Sequence, residues 1–144
     1  MRTVALVGCA ALALLSCGKE VGRIPFASEG MASTSVPLSA GEVTFWTDID
    51  LEYTGDAALG YAITLSQGGA KVASAACNPL GNLPVKTGWL ESNLGAAHSR
   101  RGSGKMTCSA NVPTGGATLV TATLAFSRRP ATLTLKKADL EIKQ

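Results

Sequence analysis

The stretch "EVTFWTDIDLEY", residues 42–53, alternates without a break. One phase carries Val43, Phe45, Thr47, Ile49, Leu51 and Tyr53; the other carries Thr44, Trp46, Asp48, Asp50 and Glu52. A period of two turns these sets to opposite faces of a strand, one toward a core and one toward water. The same period recurs downstream. Tyr61, Ile63 and Leu65 alternate with Ala62, Thr64 and Ser66; "QGG" then turns the chain into Lys71–Cys77, so 60–77 reads as a hairpin. Met106, Cys108, Ala110 and Val112 form another apolar phase, ended by "PTGG", and Val120, Ala122, Leu124 and Phe126 form the next, up to "SRRP".

In the last segment, "ATLTLKKADLEIKQ", Leu133 and Leu135 share one phase while Ala138, Leu140 and Ile142 share the other. The slip at Lys136-Lys137 predicts a bulge or a sheet-switching bend. There is no amphipathic helix and no internal repeat. The expected fold is all-β: an antiparallel sandwich of about seven or eight strands, with a jelly roll as one form of its connections.

A chain of 144 residues favours one domain. Hydrophobic residues make up 46% and charged ones 16%, which excludes a disordered charged tail. Aromatics are only 5%, so the core is expected to be built of small aliphatics. A net charge of +3, part of it from Arg2, is too weak for a nucleic-acid partner.

The N-terminus carries a second signal. Arg2 is followed by an apolar run from Val4 to Leu15, shorter than the ~20 residues a membrane-spanning helix needs. It fits a secretory leader. Leu14-Leu15-Ser16-Cys17 resembles the lipobox of bacterial lipoproteins: Leu14, Ser16 and Cys17 match, while Leu15 stands where a smaller residue is usual. The resemblance covers residues 1–17. It implies cleavage after Ser16 and a lipid anchor on Cys17, hence a membrane partner. Gly18 stands where Asp would signal inner-membrane retention in enteric bacteria, which implies the outer membrane or cell surface. An ordinary cleaved leader with an incidental Cys17 is the alternative, and an uncleaved signal anchor the third reading.

Four cysteines allow three pairings. With Cys9 in the leader and Cys17 acylated, Cys77 and Cys108 remain as an even pair in an oxidising compartment and are expected to form a disulfide. Those two and the lone His98 do not make a closed zinc site, and no metal or other cofactor is expected. Residues 1–16 are read as the leader, 17–40 as the lipidated cysteine and a flexible Gly/Ser/Ala/Pro-rich tether with an early edge strand at 24–27 or 34–38 as an option, and 41–144 as the sandwich. Such a tether would reach roughly 25 Å.

Two places carry candidate ligand-binding residues. On the polar phase of residues 42–53, Trp46 lies beside Asp48, Asp50 and Glu52, an arrangement that can stack a sugar, or else a packed Trp beside a solvated strand face. A Ca²⁺ site there would need the carboxylates closer than a straight row, spread over about 13 Å, allows. The second place is the segment between Cys77 and Lys105, which shows one short strand at 83–87 and otherwise reads as an irregular loop. It contains Trp89, His98, Arg100 and Arg101, and the Arg pair could take an anion or simply be a solvated basic loop. No Gly-x-Ser-x-Gly elbow is present, and no catalytic residue is assigned.

The charge map is lopsided: residues 42–56 hold five acids and no base, residues 100–144 eight bases and two acids. Side by side these segments would neutralise each other; on opposite faces they would make a dipole. The functional expectation is a lipid-anchored, extracytoplasmic binding or structural module that is not an enzyme, with an envelope protein or glycan as partner. The alternatives are a carbohydrate-binding module and, third, a small hydrolase.

Overall fold

The computed structural model describes residues 18–144. The leader and the acylation expected at Cys17 lie outside the described residues. Nine strands are present among them: β1 (Glu20–Ile24), β2 (Gly30–Leu38), β3 (Gly41–Thr54), β4 (Ala58–Gln67), β5 (Ala70–Cys77), β6 (Val85–Leu94), β7 (Ala97–Val112), β8 (Gly116–Arg128) and β9 (Thr132–Lys143). They form a five-stranded sheet in the order β1-β9-β3-β7-β6 and a four-stranded sheet in the order β2-β8-β4-β5. Every pairing is antiparallel.

The two sheets face each other as a sandwich. Without β6, the orders β1-β9-β3-β7 and β2-β8-β4-β5 are those of a jelly roll, with the chain crossing repeatedly between sheets. β6 is an added edge strand, hairpinned onto β7.

The alternation of residues 42–53 is realised as read. Val43, Phe45, Ile49 and Leu51 are fully buried on the inner face of β3. Opposite them, Leu59, Tyr61, Ile63, Leu65, Val120 and Leu124 line the inner face of the second sheet. Tyr61 carries a polar group into this layer, as do the buried Thr118 and Thr47. The Tyr61 hydroxyl donates to the Ala138 carbonyl at 2.8 Å on β9, in the other sheet, and meets Thr47 Oγ1 at 2.9 Å. The slip at Lys136-Lys137 is a bulge: Asp50 pairs with Lys137 and Leu51 with Leu135. The extra residue, Lys136, restores the phase, so Leu135 and Ala138 both turn toward the core while β9 stays in one sheet.

Two boundaries differ from the sequence reading. Residues 20–38 are not a tether but two edge strands, β1 on the larger sheet and β2 on the smaller. Their inward residues, Ile24, Val36 and Leu38, belong to the core. Pro37 sits in β2, where an edge position spares it from donating to a second neighbour. The segment 78–104 is not an irregular loop either. Most of it is the β6–β7 hairpin, and the short strand expected at 83–87 is the start of a ten-residue one. β6 is exposed or half-exposed along its whole length, so no apolar phase marks it.

Candidate functional site

β3 runs between β7 and β9, so the acidic segment lies beside both basic ones. In register, Asp50 falls between Arg101 and Lys137. Part of the lopsided charge map is therefore neutralised on the outer face of one sheet, while Arg128 and Arg129 lie at the end of β8 in the other.

The centre of that face is an ion network. Arg23 of β1 donates to Asp48 at 3.0 Å, to Asp139 at 3.1 Å, to Glu20 at 2.9 Å, and to Glu141. Lys137 reaches Asp48 at 3.0 Å from the other side. Burial is the largest influence on Arg23 and opposes its charge, yet its carboxylate partners hold the guanidinium pKa above its ordinary value. Glu141 is pushed up, chiefly by burial, against the opposing pull of Arg23 and Lys143. A guanidinium thus stands where a cation bound to Asp48 would sit.

Trp46 lies on this outer face but is only 3% exposed. Lys143 Nζ caps its ring 3.7 Å from the centroid, and Glu141 and Lys105 flank it in register. The ring is a packed part of the sheet surface and offers no free face for stacking a ligand.

The other sequence candidates gather on the β6–β7 hairpin. His98 stacks on Tyr53 with centroids 4.9 Å apart, and its Nδ1 lies 2.7 Å from Asn93 Oδ1. Arg100 is paired with Glu91 at 2.9 Å and donates to the Ser99 carbonyl. Trp89 sits at a bulge in β6, half-buried against the core, with Lys86 Nζ 5.5 Å from its ring. Arg101 is exposed on the outer face. Arg100 and Arg101 alternate as strand neighbours do, so they face opposite sides of the sheet and do not form a joint anion clamp.

What the sequence did not reveal is a trough of about 320 Å³ on the outer face at the far end of the larger sheet. Two rows of side chains cross four strands there. Thr134, Glu52, Ser99 and Ser92 make one; Thr132, Thr54, Ala97 and Leu94 make the other. Tyr53 and His98 contribute its floor. The turns around it are tied together: Gly55 N–H donates to the Ala96 carbonyl at 2.9 Å and Ala131 N–H to the Thr54 carbonyl at 2.8 Å. Five hydroxyls, one exposed carboxylate and the exposed Leu94 suit a polar ligand with one apolar face. No local spacing could have shown these rows, because their members lie far apart in the chain and meet only through strand register.

Cys77 and Cys108 are joined, with Cα atoms 5.3 Å apart. The bond links β5 of one sheet to β7 of the other. No protein-family model matches the chain, and no curated protein matches it.

Proposed function

We propose that this protein is a lipid-anchored β-sandwich of the bacterial cell envelope, at the outer membrane or cell surface, that binds or supports an envelope component and performs no covalent chemistry. The lipobox-like Leu14-Leu15-Ser16-Cys17 motivates the anchor. The observation that carries the extracytoplasmic part is the Cys77–Cys108 bond, since a bridge across two sheets belongs in an oxidising compartment. The side chains a catalyst would need are engaged elsewhere: His98 with Tyr53 and Asn93, Arg100 with Glu91. Intact-mass and N-terminal analysis of the native protein tests the reading. The expected product begins at an acylated Cys17 and carries one disulfide; an unmodified N-terminus elsewhere overturns the anchor, and two free thiols overturn the bridge.

A second reading, glycan recognition, is favoured by the hydroxyl-lined trough. Lectin domains are among the proteins built on jelly rolls, but many unrelated functions share that fold, so the trough and not the fold carries this reading. Glu52 is its only carboxylate and would accept from sugar hydroxyls. On a glycan array, binding by the native protein that is lost in Glu52→Ala supports this reading. Binding unchanged by that substitution, or none at all, counts against it.

A further inference from the structure

The absence of a tether has a geometric result at the anchor. Gly18 is already packed on the end of β9: a Cβ on it would lie 3.1 Å from Lys143 Cβ. Lys19 and Gln144 exchange backbone hydrogen bonds of 3.1 and 3.0 Å. Consecutive Cα atoms are about 3.8 Å apart, so Cys17 is a single peptide unit from a residue seated in the sandwich.

The same end of the molecule is pinned to neighbouring turns. The Gln144 side chain accepts from Ser39 N–H at 2.7 Å and donates to the Ser39 carbonyl at 2.6 Å. Gln67, which leads into the β4–β5 turn, donates to the Thr114 carbonyl at 2.9 Å. The turns gathered here, 39–40, 68–69 and 113–115, contain no charged side chain. The turns themselves present small and polar groups to whatever lies below, with the exposed Lys19, Glu20 and Glu42 beside them.

We infer that acylated Cys17 seats this end of the sandwich directly against the phospholipid bilayer, with the 39–40 and 113–115 turns at headgroup level. The inference rests on the acylation proposed above. β3 has 14 residues, which at about 3.3 Å each span about 45 Å. The trough at the opposite end of that strand is therefore held clear of the membrane and faces outward.

The test compares two lipidated proteins in phosphatidylethanolamine/phosphatidylglycerol vesicles. One is the native chain; the other carries a 20-residue Gly/Ser insert between Cys17 and Gly18, with a reach of roughly 25 Å. Amide hydrogen exchange is followed at Ala40, Thr114 and Gly115, and at Gly95, Ala96 and Arg129 as distal references. The expected result is exchange slower in the native chain by on the order of threefold at the first set, and equal rates at the second. Equal rates at both sets, with intact mass confirming acyl chains on Cys17 in both proteins, overturn the seated posture and leave the anchor standing. A mass without acyl chains removes the anchor and this inference with it.

Discussion

At the scale of single residues, buried polar groups are the sensitive points. Burial pushes the Tyr61 phenol above its ordinary value of 10.0, against the opposing hydrogen bond from Thr47. A raised phenol contributes stability that is complete below pH ~10 and lost as pH rises, because the unfolded chain ionises first. Tyr61→Phe removes the bonds to Ala138 and Thr47 and is expected to cost about 1–2 kcal/mol at pH 7 in urea denaturation. The gap to wild type should narrow by up to about 1.4 kcal/mol between pH 10 and 11, since the variant has no phenol to ionise there; a gap that stays constant would refute the assignment. Arg23 is the counterpart on the surface. Arg23→Met leaves Asp48, Asp139 and Glu141 facing one another and is expected to cost about 1–3 kcal/mol, less than a fully buried pair because the guanidinium is partly solvated. Glu141 is raised above its ordinary 4.5 by burial, so its contribution to stability is complete below that value and declines as pH rises. Without the opposing pull of Arg23, Glu141 is raised further in Arg23→Met, so the deficit should shrink on acidification from pH 7.

At the scale of elements, legibility followed burial. β3, β4, β8 and the second half of β7 each bury one face, and their alternation is visible in the residues. β6 and the first half of β7 extend past the cover of the smaller sheet, so polar residues occupy both of their faces. There the period-two signal vanishes although the strands exist, and the hairpin reads as a loop. β2 was legible only in its second half, the edge strand expected at 34–38: the small residues before it, such as Ala32 and Ser33, carry too little hydrophobic contrast to separate inside from outside. The hairpin rests on close backbone approach at its bulge. Gly102 has φ of +130°, and a Cβ on it would lie 2.6 Å from the Gly88 carbonyl oxygen. Gly102→Ala is expected to destabilise by about 1–3 kcal/mol, with faster amide exchange confined to β6 and the start of β7. Unchanged exchange in that hairpin would show that the bulge is not a tight contact in solution.

At the scale of the whole molecule, the Cys77–Cys108 bond is a covalent cross-link between the sheets in addition to the backbone crossings, and it closes a sequence separation of 31. Restricting the unfolded chain over that length is worth roughly 3–4 kcal/mol. The double variant Cys77→Ala/Cys108→Ala should lose about that much in denaturant titration, and a loss under ~1 kcal/mol would mean that the unfolded chain is already compact. The pairing was legible once Cys17 was set aside. The trough was not, since it is a product of register among four strands and of nothing local.

The position of β9 has a consequence for how the chain is made. β9, made after β1 to β8, lies between β1 and β3. Until residues 132–143 are available, β1 has no strand neighbour in its sheet and β3 has one open edge. Closing pairs so far apart in the chain is slow, because loop entropy must be overcome before any contact compensates it. A nascent chain with this topology stays without its finished sheet until β9 has emerged.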